Sequence, residues 1–376
     1  MKSEIANFGS TEISSTTQFI ENQRYVHKVL LLPNYMVVRM YRFGIAGIPL
    51  GSKGRTVKDA VENTFQLGLN YLEIQLFRIS TQEREMRDFV GMKPKDLDDM
   101  LLVDLLRSDD EGKYKSIGLN KVIEEDDIGT ELFWSMARDY KELSLAKDVA
   151  KELDIKISLH TPYYVDFSIE ERMIVDSIQH TIWGGVIADA LDSQYLITHL
   201  GLLPGQRKAG LTRTASSLKQ ISDKMTALKI KPKLCIENSG KSEVVGSEEE
   251  IDFLLSKAKN VTSITNVSHI YSSKKNSPTE QDEFAEIIEE TKKKKRPLYF
   301  EFSGVEFLDQ NEYRITPIKK GNLKFEPFAD ALADFDDEIT LISFSPLLEH
   351  DALYMKVIFE RSILKKIGKT VKPLAQ

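Results

Sequence analysis

The sequence predicts an α/β protein that folds as a (β/α)8 TIM barrel, and three observations support this. From about residue 42, short apolar runs alternate with longer amphipathic ones, as in repeated βα units around a parallel sheet. The short runs are rich in β-branched and aromatic residues, which is typical of strands covered on both faces. No Gly-x-Gly-x-x-Gly follows the first run, which favours a closed barrel over an open doubly wound sheet.

Eight segments have the length and composition of buried strands. They are Tyr41–Ile48, Tyr71–Phe77, Ile155–His160, Gln194–His199, Lys233–Glu237, Val261–Asn266, Pro297–Phe302 and Ile339–Ser343.

Helix start signals precede several of the amphipathic segments between these strands. Thr56, Ser168 with Glu171, Ser247 with Glu250 and Thr279 with Asp282 have the spacing of N-caps or capping boxes. Gly184-Gly185 is expected to kink the second helix of this set. The predicted helices cover residues 56–67, 168–192, 212–228, 247–259, a segment from 279, 325–335 and 347–367.

Two regions do not fit the βα repeat, which otherwise covers residues 42–367. Residues 1–41 are polar at the start and are interpreted as an N-terminal extension. Residues 79–140 follow the second strand and are too long for one loop and one helix. Their acidic stretches, Glu124–Asp127 and Asp109–Glu111, indicate an exposed insertion with helices of its own, which could contact a protein partner.

Composition excludes several classes of protein. The 376-residue chain has no apolar run near the length of a membrane span, and its single cysteine, Cys235, fits a reducing compartment. We therefore expect a cytoplasmic protein without membrane partners. The net charge of −7 argues against strong nonspecific DNA binding, although a local basic rim or bound metal ions would suffice for a nuclease.

Three consecutive predicted strands end in residues that a buried strand should avoid: His160, His199 and Glu237. A single strand-end histidine is usually a rim or core residue. Because the carboxyl ends of barrel strands meet at one mouth, however, three such residues on adjacent strands are expected to lie together. Two imidazoles and a carboxylate are a donor set that suits zinc, with a fourth position left for water.

The segments around these residues resemble endonuclease IV, the zinc-dependent AP endonuclease family 2, within the xylose isomerase-like TIM barrel superfamily. Family members typically have His-x-x-Tyr, His-Pro-Gly, Glu-Asn and Asp-x-x-His at successive strand ends. The corresponding segments here are His160–Tyr163, Thr198–Gly201, Ile236–Gly240 and Asn266–His269, while Arg42–Pro49, Phe302–Glu306 and Ser345–Leu347 resemble the archaeal branch.

The resemblance implies hydrolysis of the phosphodiester 5′ of an abasic sugar by a hydroxide on zinc, in a site with three zinc ions. His160, His199 and Glu237 match the family's first metal site completely, with Glu237 as the catalytic residue. The second site would require an Asp, a His and a Glu where this chain has Asn266, Tyr299 and Phe344.

The third site of the family keeps His269, a weaker candidate ligand here. Its Asp and His are replaced by residues near Glu312–Ile315. We therefore expect fewer zinc ions than three, with Mn²⁺ or another divalent metal as an alternative. Glu301, Asn266 and Tyr299 are candidates for residues that support the metal ligands by hydrogen bonding.

Two further positions match residues with which the family holds distorted DNA. Tyr163 follows the first histidine, and Arg78 lies just past the second strand. The resemblance implies that both contact damaged or abasic DNA, since arginine is a bidentate phosphate donor. The alternatives are an aromatic residue packed on the next loop and an ordinary surface cation.

The leading hypothesis is a metal-dependent phosphodiesterase acting on abasic or damaged DNA. One alternative is a catalytically degenerate barrel that binds nucleic acid or a protein partner, which the replaced ligands favour. Another is a sugar isomerase or epimerase, but only Glu237 remains of the carboxylates and histidine that those enzymes use.

Overall fold

The computed structural model describes residues 41–169, 171–203, 205–274, 277–308 and 311–370, with side chains up to residue 367. Apart from Tyr41, the predicted N-terminal extension of residues 1–41 lies outside the described residues. The predicted barrel, residues 42–367, lies within them apart from residues 170, 204, 275–276 and 309–310.

The barrel is one parallel sheet of nine strands. The strands are β1 (Tyr41–Ala46), β2 (Tyr71–Gln75), β7 (Lys156–His160), β8 (Tyr195–Thr198), β9 (Lys233–Ile236), β10 (Val261–Ser263), β11 (Thr265–Asn266), β12 (Tyr299–Phe302) and β15 (Ile339–Ser343). Their order in the sheet is β10-β9-β8-β7-β2-β1-β15-β12-β11. Only Ile264 separates β10 from β11, so the two ends of the sheet meet in the chain. The result is a nearly closed α/β TIM barrel with eight strand positions, and the predicted fold class is confirmed.

All eight predicted strands are present, and most are shorter than predicted at one end or both. The strand predicted as Lys233–Glu237 ends at Ile236, so Glu237 is the first residue beyond β9. The strand predicted as Val261–Asn266 is interrupted at Ile264, whose N–H donates to the carbonyl of Ile236. These endings place polar side chains at the carboxyl-terminal mouth of the barrel.

The helices are α1 (Val57–Gln66), α2 (Tyr140–Glu152), α3 (Glu171–Ala190), α4 (Arg207–Ala227), α5 (Glu248–Lys257), α6 (Val267–Ser273), α7 (Gln281–Lys293), α8 (Phe325–Leu332) and α9 (Glu349–Thr370). The capping box predicted at Ser247 and Glu250 is confirmed, and Thr56 caps α1 together with Asp59. Each box satisfies backbone N–H groups that the first helical turn leaves unpaired. The doublet Gly184-Gly185 lies within one uninterrupted helix, α3.

Two predicted helix starts are wrong. The Ser168 hydroxyl is hydrogen-bonded to the carboxylate of Asp166 and the carbonyl of Leu202, so it is committed to the preceding loop. Helix α7 is capped by Glu280 with Glu283, one residue after the predicted pair of Thr279 and Asp282. Before α3 the Asp166 carboxylate accepts from the N–H groups of Ser168 and Ile169, and at α7 the Glu283 carboxylate accepts from those of Thr279 and Glu280.

The insertion after β2 is built on a four-stranded antiparallel sheet, and of the helices predicted there the structure has two short 3-10 helices, Arg87–Phe89 and Pro94–Asp96. Its strands are β3 (Ser80–Glu85), β4 (Leu102–Ser108), β5 (Tyr114–Ser116) and β6 (Ile128–Phe133), in the order β3-β6-β4-β5. The acidic stretches lie in the turns between these strands, and Arg107 pairs there with Asp127. Turn residues are strongly polar in either type of structure, which is why they did not reveal the strands.

A hairpin of β13 (Gly304–Leu308) and β14 (Asn311–Thr316) follows β12 and was not predicted. Outside the barrel, Phe284, Phe300, Phe302, Phe325 and Phe328 form a buried aromatic cluster between β12, α7 and α8. In the part of the chain that the structure describes, no helix is both long and apolar enough to cross a membrane.

Candidate functional site

The first three predicted site residues lie together at the mouth of the barrel. His160 ends β7, His199 follows β8 and Glu237 follows β9, and these strands are neighbours in the sheet. The rings of His160 and His199 are stacked, with centroids 5.8 Å apart. Nε2 of His160 lies 3.5 Å from Oε2 of Glu237. The order of the strands thus produces the cluster that the strand ends predicted.

The carboxylate of Glu237 lies at the centre of this cluster. Its Oε1 is 3.2 Å from Nε2 of His269 and accepts a hydrogen bond of 3.0 Å from the side-chain amide of Asn266. Burial raises the pKa of Glu237, but hydrogen bonds from His160 and His269 outweigh burial and hold this pKa well below its usual range. The residue therefore carries a negative charge at neutral pH.

Backbone carbonyls hold the two strand-end imidazoles. Nδ1 of His160 lies 2.8 Å from the carbonyl oxygen of Thr161, and His199 hydrogen-bonds to the carbonyl of Tyr163. Burial, together with the neighbouring His160, lowers the pKa of His199 to about 4. His199 is therefore neutral at pH 7, which is the form of histidine that binds metal ions.

Asn266 connects Glu237 to a second buried carboxylate. Its amide nitrogen donates to Oε1 of Glu237 and, at 2.8 Å, to Oε2 of Glu301. Asn238 exchanges hydrogen bonds with the backbone of Asn266 at 2.7 and 3.0 Å, which fixes β11 beside Glu237. Burial and the nearby charges of Glu237 and Glu73 raise the pKa of Glu301 well above its usual range.

Tyr299 lies deeper in the barrel, where its hydroxyl donates to Glu73 Oε2 at 2.5 Å. Burial raises the pKa of Glu73. Glu73 was not identified from the sequence, although a glutamate inside the apolar strand Tyr-Leu-Glu-Ile is a signal that could have been used. The barrel interior thus contains a polar layer beneath the mouth.

His269 lies on α6, and its Nδ1 is hydrogen-bonded to Glu312 of the β13–β14 hairpin. Glu312 belongs to the segment that was predicted to replace an Asp and a His of the endonuclease IV family. The ring of Phe344 is 6.3 Å from the ring of His269, so this position contributes an apolar wall.

The two predicted DNA contacts lie on loops at the mouth. Tyr163 follows β7 and is 67% exposed. Arg78 follows β2, is exposed, and its guanidinium carbon lies 4.7 Å from the ring centroid of Phe77. Both side chains are accessible to a large substrate, and their role in binding DNA stays a prediction.

The candidate metal ligands at the barrel mouth contact one another two at a time. Among the described residues, no group of three or more His, Cys, Asp or Glu side chains is arranged so that it could hold a metal ion. His160 and His269 instead contact Glu237 directly. The zinc predicted from the sequence therefore stays a prediction. It rests on the types of ligand that are present and on the hydrogen bonds that hold them in place.

The charge of His269 gives a testable pH dependence. Burial lowers its pKa, but hydrogen bonds and charges from Glu237 and Glu312 outweigh burial and raise it to about 9, from an ordinary value of 6.5. A raised pKa contributes stability that is complete below the ordinary value and is lost as pH rises through the folded-state value. We expect the difference in unfolding free energy between wild type and His269→Gln to shrink between pH 6.5 and about 9 in metal-free protein. Chemical denaturation measures this, and a difference independent of pH would contradict it.

Comparison with known proteins shows the family of the chain. Residues 126–349, more than half of the chain, match the sequence profile of the family described as xylose isomerase-like TIM barrel. An uncharacterized protein of Methanocaldococcus jannaschii is 28% identical over 227 residues, which cover 57% of this chain and 82% of that protein.

Several solved structures share the fold at low sequence identity. Endonuclease IV from Thermus thermophilus matches with a TM-score of 0.53 and 14% identity, over 86% of this chain and 99% of that one. The 3-keto-D-glucoside 4-epimerase YcjR from E. coli matches with a TM-score of 0.51 and 7% identity, over 84% and 100%. A xylose isomerase domain protein from Planctomyces limnophilus gives 0.52 and 8%, over 87% and 99%.

At these identities the structural matches show the fold alone, and they include both a nuclease and an epimerase. The extent of the profile match is the stronger result, because it covers most of the barrel, including the strand ends at His160, His199, Glu237 and Asn266. The chain belongs to the xylose isomerase-like TIM barrel family.

Proposed function

We propose that this protein is a metal-dependent phosphodiesterase of the endonuclease IV type, which acts on abasic or damaged DNA with a metal ion held by His160, His199 and Glu237. One observation carries the proposal. Two imidazoles on adjacent strands, each tied to a backbone carbonyl, lie at the barrel mouth beside one ionised carboxylate.

The proposed ligands are of the types that bind zinc, and hydrogen bonds hold them as zinc ligands are usually held. Histidines that bind metal ions usually donate their other ring N–H to a carbonyl or carboxylate, as His160 and His199 do here. The separation of 3.5 Å between Nε2 of His160 and Oε2 of Glu237 is close to that of neighbouring ligands around zinc. At zinc–ligand distances of about 2.0–2.1 Å, a tetrahedral arrangement separates two ligands by about 3.4 Å.

The surrounding residues favour fewer metal ions than three. Asn266 and Phe344 are neutral, and the amide of Asn266 is already used in hydrogen bonds to Glu237 and Glu301. When bound, zinc, or alternatively Mn²⁺, would act as a Lewis acid that stabilises negative charge on the phosphodiester. Glu237 has the catalytic position because it contacts His160 and His269 and is held in place by Asn266.

The exposed loops give the substrate its first contacts. The guanidinium of Arg78 can donate two parallel hydrogen bonds to one phosphate, and the ring of Tyr163 offers a stacking surface to an unpaired base or sugar. Both lie on loops that follow barrel strands, as do His199 and Glu237. An inner metal site is thus combined with an outer rim that binds the DNA backbone.

Cleavage of a duplex with a single abasic site tests the proposed substrate. After removal of metal and addition of zinc, we expect cleavage 5′ of the abasic sugar and no cleavage of a matched intact duplex. Duplex binding without cleavage would instead support the binding-only alternative. Interconversion of ketose sugars without cleavage of DNA would support the epimerase alternative.

A further inference from the structure

The β13–β14 hairpin is attached to the loop that follows β9. Oδ1 of Asn311 accepts a hydrogen bond of 2.9 Å from the N–H of Ser242, and Nδ2 of Asn311 donates to Glu243 at 2.8 Å. The N–H of Glu312 donates to the carbonyl of Gly240 at 3.2 Å. These contacts fix the first residues of β14 over the barrel mouth.

The attachment directs the side chain of Glu312 inward. Glu312 is 8% exposed, and its carboxylate is hydrogen-bonded to Nδ1 of His269. The other ring nitrogen, Nε2, lies 3.2 Å from Oε1 of Glu237. The imidazole is therefore contacted by a carboxylate at each end, one from the hairpin and one from the end of β9.

We propose that Glu312 is a positioning residue for His269. By accepting a hydrogen bond from Nδ1–H, its carboxylate keeps that proton on Nδ1, so that when metal is present Nε2 is free of its proton and is directed toward Glu237 and the metal ion. The inference rests on the proposed function, since it makes His269 a further ligand or close neighbour of the metal. The β13–β14 hairpin, which is not part of the βα repeat of the barrel, then has the role of holding Glu312 against His269.

The alternative is that Glu312 only fastens the hairpin to the barrel. Asn311 and the backbone of Glu312 already make three hydrogen bonds to the loop after β9, and none of them involves the Glu312 carboxylate. Removal of the carboxylate should therefore leave the hairpin in place. Glu306 on the same hairpin is a matched control, because its side chain is 40% exposed and pairs with Arg314 away from His269.

The test measures the zinc affinity of the full chain by competition with a chelator. Loss of a group that orients a ligand typically weakens metal binding about 10–100-fold, and we expect this for Glu312→Ala. Glu306→Ala should bind like wild type, and Glu312→Gln, which still offers an acceptor, should recover part of the affinity. In a His269→Ala background, Glu312→Ala should add no further loss. Independent, multiplying losses, or an unchanged affinity in Glu312→Ala, would overturn the proposal.

Nuclear magnetic resonance of the metal-free chain separates this inference from the proposed function. We expect a downfield Nδ1 proton signal of His269 in wild type and Glu306→Ala, and its loss in Glu312→Ala. If wild type binds no zinc, the metal-dependent function fails, whereas the His269 signal still decides whether Glu312 holds the imidazole. A signal that persists in Glu312→Ala would overturn the positioning role.

Discussion

Replacing Glu237 with glutamine is expected to lower zinc-dependent cleavage of an abasic duplex at least about 100-fold. Loss of a residue that only supports a metal ligand costs up to about 100-fold, so loss of a direct donor should cost no less. Glutamine keeps the size of the side chain but removes the negative charge that His160 and His269 contact. Cleavage rates at saturating zinc, with zinc affinity measured in parallel, check this prediction.

Glu306→Gln is the matched control, since it makes the same change on the exposed face of the hairpin. It should cleave at the wild-type rate. Circular dichroism should show that Glu237→Gln still folds, so that lost activity reports the site. Cleavage by Glu237→Gln within a few-fold of wild type would place the chemistry elsewhere.

Replacing Phe328 with alanine is expected to lower the free energy of unfolding by about 3–5 kcal/mol. Phe328 is fully buried, and its ring contacts those of Phe284, Phe300, Phe302 and Phe325 at centroid distances of 5.2–6.0 Å. Removal of the ring leaves a cavity between α7, α8 and β12, and rigid neighbours on several sides limit how far it can collapse. Denaturant titration measures the change.

Phe253→Ala is the control for this substitution, because Phe253 on α5 is 36% exposed. We expect a clearly smaller loss there, on the order of 1 kcal/mol or less, as for a partly exposed site outside the core. Equal losses at Phe253 and Phe328 would mean that the aromatic cluster contributes no special packing.

The barrel could be predicted from the sequence because its strands are short, buried on both faces and separated by capped helices. The strand ends were informative for the same reason, since His160, His199 and Glu237 interrupt runs that are otherwise apolar. The order of strands β7, β8 and β9 then brought these residues together. The prediction that these residues lie together succeeded because the polar strand ends seen in the sequence lie on strands that are neighbours in the sheet.

The insertion could not be predicted from its composition. Its strands β4 and β6 each have four consecutive buried residues, 102–105 and 129–132, but these include the polar Asp104, Thr130 and Glu131, while its turns hold most of its charged residues. The insertion lacks the regular alternation of strand and helix that identifies the barrel. In the sequence, its acidic turns therefore resemble the exposed faces of surface helices. Tertiary context decided the outcome, because β6 pairs with both β3 and β4.

Two glutamates of the site depended on contacts that no local pattern reveals. Glu73 lies within a strand and meets Tyr299, which is 226 residues away in the sequence. Glu312 reaches His269 because Asn311 and the backbone N–H of Glu312 attach the hairpin to the loop after β9. In the sequence, the segment from Glu312 to Ile315 stands where the endonuclease IV family has an Asp and a His of its third metal site. The sequence does not reveal which residue of this segment contacts His269.

The site is asymmetric in a way that limits its chemistry. His160, His199 and Glu237 supply two imidazoles and a carboxylate, which is the donor set expected for the first metal site, whereas Asn266 and Phe344 bring no charge to the positions expected for a second one. Asn266 uses its amide on Glu237 and Glu301, and Phe344 packs near His269. The proposed metal centre therefore has fewer metal positions than the three of the endonuclease IV family. The best supported of them is the position between His160, His199 and Glu237.

Elemental analysis of zinc in the purified full chain, for wild type and for His199→Ala, tests the central claim most directly. We expect about one zinc or more per wild-type chain, and a loss of metal in His199→Ala, because the neutral imidazole of His199 is one of the proposed direct donors. Metal-free wild-type protein after expression with ample zinc would contradict the metal centre. Equal zinc in both proteins would show that the metal is bound somewhere other than the end of β8.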